Sequence, residues 1–234
     1  MTSHLLALLL SLISVILPLR YGCVDIIGGH VVCPHSWPYM AAIQGENLTK
    51  CGGALVEKQW VLTAAHCSEL WYFPYFLYEK VFFFPSLFQL NGIAKLNEYV
   101  QLLPLPDSFK DIKPGTTCSV AGWGVTSSQK PSKYLQETTL KIVKRKGCAR
   151  QYEKHKKITS NMLCALGESV GENELPKRDA CRGDSGGPLI CAGRYSGIVS
   201  FGKGCGTSVP GVYTRLTKKY IDWVRKIIAR HGDP

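Results

Sequence analysis

The sequence is short of acid. Its 234 residues carry 17 Asp and Glu against 28 Lys and Arg, a formal net charge of +11. Such a balance argues against basic partners and for polyanionic ones. No repeat of about 20–50 residues recurs, and no Ser/Gly linker or low-complexity tract divides the chain, so a solenoid or a string of modules is excluded. Beyond the first twenty residues no run of about 18 apolar residues occurs, and a mature chain without a membrane span is expected. There is no Cys-x-x-Cys pair and no His-Glu-x-x-His, so neither a metal nor any other cofactor is expected. Charged residues make 19% and hydrophobic ones 45%, too apolar for a disordered chain. Cysteine, by contrast, is abundant. Ten of them suit an oxidised, secreted protein better than a cytosolic one.

The N-terminal end fits that compartment. Leu5 to Leu19 is apolar apart from Ser11, Ser14 and Pro18, too short for a bilayer, which needs about 20 residues, but suited to a signal-peptide core. Its basic flank is weak, with only the amino terminus and His4. Residues 1–23 are expected to be a signal peptide, with Gly22 and Cys23 as the cleavage neighbourhood, and secretion or storage in a secretory granule follows. Val24-Asp25 then precedes a single domain, 26–234. Asn47-Leu48-Thr49 is a glycosylation sequon, reachable in that setting.

Short apolar runs separated by Gly, Pro and Ser predict strands over Tyr39–Ile43, Cys51–Val56, Trp60–Ala64, Cys118–Val125, Leu140–Val143, Pro188–Cys191, Gly197–Phe201 and Gly211–Leu216. Such a series reads as an all-β barrel or sandwich. Only the end reads as a helix: Ile221, Val224, Ile227 and Ile228 recur at three- and four-residue spacing from Lys218 to Arg230.

Two motifs carry chemistry. Gly183-Asp184-Ser185-Gly186-Gly187 sets a hydroxyl in a tight bend whose successive amides can converge on one point, the requirement of an oxyanion hole. The same residues also make ordinary turns. Thr63-Ala64-Ala65-His66-Cys67 supplies an imidazole, the side chain best placed to accept a proton near neutral pH. His30, His35, His155 and His231 have no comparable context.

Together with Ile26-Ile27-Gly28-Gly29, Ala121-Gly122-Trp123-Gly124 and Pro210-Gly211-Val212-Tyr213, these motifs occur in the order and with most of the spacings of the chymotrypsin/trypsin-like serine proteases, and within them the chain most resembles the granzymes A and K. The resemblance implies two six-stranded antiparallel Greek-key barrels with a C-terminal α-helix. It implies Ser185 as nucleophile, His66 as general base, and the amides of Gly183 and Ser185 as oxyanion hole. Asp184 would receive the α-amino group of Ile26 once the chain is cut before it, which makes the uncut form a zymogen. Val24-Asp25 lacks a basic residue, so removal by a dipeptidyl peptidase is expected. Asp179 matches the floor of a specificity pocket for Arg or Lys, and Gly202 and Gly211 match its small wall positions. Ser200 and Phe201 begin the segment that pairs with substrate, Phe201 standing where Trp is usual. The implied substrates are proteins cut after Arg or Lys, through an acyl-enzyme. The implied disulfides are Cys51–Cys67, Cys118–Cys191, Cys148–Cys164 and Cys181–Cys205. Cys23 leaves with the leader and Cys33 is left over.

One part is missing. The family carries the triad Asp just before the stretch matched by Gln89-Leu90, and Phe84 stands there; no Asp occurs between Asp25 and Asp107. The interval from Cys67 to Phe84 is far shorter than in relatives, so the first barrel is expected to be incomplete. Trp71 to Phe88 holds ten aromatics, six of them Phe. Phe82 to Gln89 can be encoded by pyrimidine-rich codons followed by CAG, the look of a translated intron acceptor. Nothing in the spacing makes Glu79, Glu98, Asp107 or Asp111 a substitute. Lys141 to Lys157 holds eight basic residues and one Glu, and Lys218, Lys219, Arg225, Lys226 and Arg230 follow on the last helix. Sulfated proteoglycan is the expected polyanion, rather than nucleic acid. A non-catalytic homologue that binds polyanions or protein partners is the alternative.

Overall fold

The computed structural model describes residues 28–45, 48–70, 85–170 and 175–231. The leader expectation, Ile26, Asn47, Glu79 and Phe84 lie outside them. Among the described residues eleven strands form two sheets. The first takes the order β2 (Met40–Gly45), β3 (Leu48–Glu57), β4 (Trp60–Ala64), β5 (Pro85–Gln89). Among the described residues it is open, four strands where a six-stranded barrel was implied. β5 runs antiparallel to β4, with Leu87 opposite Leu62 and Pro85 opposite Ala64.

The second sheet closes. β6 (Thr117–Gly122), β7 (Gln136–Ile142), β8 (Met162–Gly167), β11 (Gly211–Arg215), β10 (Arg194–Phe201) and β9 (Pro188–Cys191) pair in a ring, since β7 bonds to both β6 and β8. The short β1 (His30–Val31) joins the outside of this ring at β7, where the His30 imidazole meets the Glu137 carboxylate at 2.9 Å.

Each half holds part of the other. β1 precedes the first sheet yet bonds to the second, whereas the last helix, α2 (Lys218–His231), packs under the first. Ile221 and Val224 are wholly buried in one cluster with Ala54, Val56, Trp60 and Leu62 of the first sheet and with Tyr195 and Ile198 of the barrel. Thr217 caps α2: its Oγ1 accepts the Tyr220 amide at 3.4 Å, and its carbonyl accepts Ile221 N–H at 3.0 Å. The barrel has its own core of Val120, Leu140, Leu163, Leu189 and Tyr213. Among the described residues no helix is long and apolar enough to cross a membrane.

Several elements differ from the sequence reading, which marks neither β1 nor β5 as a strand. A second helix, α1 (Arg145–Tyr152), lies within the basic stretch; only Cys148 and Tyr152 are buried, four residues apart, and the Cys148–Cys164 disulfide pins it to β8. β7 begins at Gln136 rather than Leu140, because its first inward residues are Gln136 and Thr138 and the alternation is not apolar there. β8 is a continuous buried run that had not been picked out as a strand.

The candidate active site

The two chemical motifs meet where the sheets touch. β4 ends at Ala64 and runs into a 3-10 helix, Ala65–Leu70, which carries the half-buried His66. The Cys51–Cys67 disulfide ties this turn to β3; closing a loop of this size contributes about 3 kcal/mol. The His66 imidazole and both sulfurs lie within 4.8 Å of one another. With the sulfurs joined, that cluster leaves a metal only the imidazole. From the other side the Ser185 bend arrives. Ser185 O accepts the Gly52 amide at 2.7 Å and lies 3.6 Å from Cys67 Sγ. A single disulfide therefore has the imidazole of one motif beside it and the backbone of the other against it.

Glycine is required at this junction. A Cβ on Gly186 would fall 2.0 Å from Thr63 Oγ1 and 2.4 Å from Gly52 O, and one on Gly52 would press on the Gly187 backbone at 3.2 Å. Thr63 Oγ1 itself donates to Gly52 O at 2.8 Å, so a buried hydroxyl completes the contact. Gly183 and Gly186 have φ of 99° and 85°, a left-handed backbone that a side chain strains. Amide bonds lock the bend: Gly186 N–H to Val199 O, Val199 N–H to Gly187 O and Gly187 N–H to Asp184 O, all between 2.8 and 3.0 Å.

Asp184 points away from Ser185 into a closed box. It is 1% exposed, and its carboxylate accepts Gly124 N–H at 2.7 Å and Cys181 N–H at 2.8 Å. A Cβ on Gly122 would come within 2.0 Å of that carboxylate and one on Gly124 within 2.6 Å. This is the physical reason for the Gly122-Trp123-Gly124 pattern, which the sequence reading had used only as a marker. Burial raises the Asp184 carboxyl to about 6, against the lowering effect of the two amides.

A second buried acid lies below the bend. Asp179 is 6% exposed, and its Oδ2 accepts Gly206 N–H at 3.1 Å. Burial lifts its carboxyl to about 7; the amides of Gly206 and Ala180 oppose the rise and the Asp184 charge adds to it. A Cβ on Gly211 would lie 3.4 Å from Asp179 Oδ1 and 3.3 Å from Tyr213 Oη. Tyr213 Oη is fully buried and has no hydrogen-bond partner among the described residues. A buried carboxylate and an unsatisfied buried hydroxyl thus lie beside a glycine. Gly202, exposed, has only the Gly204 carbonyl near its Cβ position, at 3.6 Å. Tyr152 braces the wall: its hydroxyl donates to Pro210 O at 2.8 Å, and its ring meets the Phe201 ring edge-on. The Ser200 hydroxyl is buried, also without a partner among the described residues.

Four disulfides join Cys51–Cys67, Cys118–Cys191, Cys148–Cys164 and Cys181–Cys205, the pairs that the resemblance implies, and Cys33 is an exposed free thiol. Asp111 is engaged elsewhere, bonded to Arg145 at 3.0 Å and 4.0 Å from Arg215.

With this geometry in view, comparison with known proteins gives the class: the chain matches the Trypsin family over residues 26–72 and 86–224, and it belongs to the trypsin-like serine proteases. It is 38% identical to granzyme A of Bos taurus over 254 residues, covering 95% of each chain. It is 35% identical to mast cell protease 3 of Ovis aries (88% and 90% covered) and 37% identical to kallikrein-8 of Homo sapiens (88% of each). The family match is interrupted from 73 to 85, the aromatic stretch that contains Phe84. The granzyme A alignment is longer than this chain, so part of that relative has no counterpart here.

Two outcomes are expected. Gly186→Ala loses about 3 kcal/mol from overpacking and backbone strain, read by chemical denaturation; a loss below about 0.5 kcal/mol would mean that the junction yields. For Asp184, the folded carboxyl is raised above its unfolded value, so its contribution is complete below about pH 4 and is lost as pH rises through about 6. The chain therefore loses about 3 kcal/mol across that window, and Asp184→Asn flattens that part of the profile.

Proposed function

We propose that this chain is a secreted or granule-stored serine endopeptidase that cleaves proteins after Arg or Lys, made with a leader and activated by a cut before Ile26. The observation that carries the reading is the pairing of an uncompensated buried carboxylate, Asp179, with the Ser185 bend, backed against the turn that bears His66. A buried carboxylate without a cation is costly, and a long basic side chain relieves that cost while the attached carbonyl stays at Ser185.

In this reading Ser185 Oγ attacks the carbonyl and His66 takes its proton. The tetrahedral oxyanion is met by the amides of Gly183 and Ser185, an acyl-enzyme forms as the amine leaves with the proton from His66, and water repeats the sequence in reverse. Ser200 and Gly202 pair with the substrate backbone, and Gly211 keeps the pocket open. Asp184 holds the new ammonium of Ile26, which turns a neutralised acid into an ion pair and firms the bend. Phe84 in place of the triad carboxylate leaves the imidazole without its orienting acid, a loss of about ten-thousandfold in the serine-protease template. Slow turnover is the consequence.

A second reading is favoured by Phe84 and by the charge: a homologue that acts by binding sulfated polyanions. α1 and α2 carry much of the basic excess, and exposed Lys144, Lys146, Arg225, Lys226 and Arg230 face solvent. Retention on heparin should then fall steeply with salt; elution at low salt counts against this binding.

Turnover of an Arg- or Lys-based chromogenic substrate, compared with Ser185→Ala, separates the readings. Protease function predicts hydrolysis that Ser185→Ala abolishes, and equal rates leave only the binding role. KM should rise as pH falls through about 7, because Asp179 must be ionised to hold the cation. Phe84→Asp should raise kcat. Sequencing the transcript across Phe82–Gln89 tests whether that segment is intron-derived; a spliced message encoding it removes the idea.

A further inference from the structure

A hollow opens at the end of the barrel remote from the Ser185 bend. β10 begins there at Arg194 and reaches Ser200 six residues later, about 20 Å along at strand spacing. β11 runs back beside it from Gly211 to Arg215, which stands opposite Gly197. Two neighbouring strands thus carry Ser200 and Gly211 at one end and arginines at the other. Arg194 and Arg215 line the hollow together with Lys110, Ser108 and Ser196. Lys110 and Arg194 are exposed, and the Arg215 side chain, 18% exposed, forms part of the wall.

The segment that brings Lys110 to this wall is pinned on either side of it. Phe109 O accepts Arg215 Nη1 at 3.1 Å, and both carboxylate oxygens of Asp111 accept Arg145 Nη2 at 3.0 Å. Asp111 is thereby engaged with α1, and neither it nor Asp107 of the same segment lines the hollow. Arg215 Nε donates to Ser160 O at 3.0 Å, with Asp111 Oδ1 4.0 Å away. The hydrogen-bond partners that fix Arg215 are carbonyls, which carry no formal charge.

This donor set suits an oxyanion. A guanidinium offers paired N–H groups and an ammonium a point charge, and Ser108 adds a hydroxyl. A carboxylate or a phosphodiester presents two free oxygens, whereas a sulfate ester presents three, one for each cation. We propose that the hollow seats a sulfate group of a sulfated polysaccharide, with Lys110, Arg194 and Arg215 sharing its oxygens. This rests on the reading of the basic surface as one that binds sulfated polyanions, and it gives that binding a place: the far end of the barrel rather than the outer faces of the helices.

A fluorescently labelled heparin hexasaccharide, titrated by anisotropy against the full chain over a series of salt concentrations, supplies the test. The pair Lys110→Gln and Arg194→Gln should lower the slope of log affinity against log salt by about two, one for each contact removed. The pair Arg225→Gln and Lys226→Gln, on the exposed side of α2, removes the same net charge and should leave the slope unchanged. A slope does not depend on the fraction of protein folded, so a less stable variant still reports. A desulfated hexasaccharide should not bind, and an oligonucleotide of equal charge should bind more weakly. If the first pair keeps the wild-type slope, or if both pairs lose it equally, the proposal falls and the polyanion reading stands. Equal binding of the desulfated sugar, or tighter binding of the oligonucleotide, also overturns it. Failure of the wild-type chain to bind the hexasaccharide overturns both the proposal and the polyanion reading.

Discussion

The meeting of the Ser185 bend with the first sheet depends on one close contact of backbone with backbone. A Cβ on Gly186 would overlap Gly52 O and Thr63 Oγ1, one on Gly52 would crowd the Gly187 backbone, and the Gly52 amide closes on Ser185 O at 2.7 Å. Side-chain packing tolerates swaps of similar volume, but a contact made by main-chain atoms does not. The Cys51–Cys67 disulfide lies against the same spot and fixes the strand-to-turn exit from which His66 projects.

Two buried acids on one short loop would ordinarily be a poor arrangement. Asp179 and Asp184 each meet main-chain amides but no described cation, and both carboxyls are held well above the usual carboxylate range by burial. A buried carboxylate without a cation is costly, and the charge of Asp184 pushes the Asp179 carboxyl up further. Under the proposed function, the ammonium of Ile26 answers one acid and the basic side chain of a substrate the other.

How much of this was readable beforehand depends on where the cause lies. β4 and α2 announce themselves, because Trp60–Ala64 is apolar throughout and Ile221, Val224 and Ile227 follow a helical period. α1 does not, since only Cys148 and Tyr152 of its eight residues turn inward and the rest is basic. The start of β7 is hidden because Gln136 and Thr138 occupy inward positions. At the site, Ser185, His66 and Asp179 stand out by motif. The roles of Gly122, Gly124, Thr63 and Tyr213 do not, because each follows from how close a distant segment comes. No local pattern reports such a distance.

The exchange of terminal segments has a consequence for synthesis. Ile221 and Val224, made long after the first sheet, complete the core beneath its strands, while β1 must wait for β7 before it has a partner. Neither half can finish folding as it emerges, and the early sheet stays uncovered until α2 has been made. Oxidation of Cys51 with Cys67 needs only nearby chain, so that covalent link can hold the nascent strands in register during the wait.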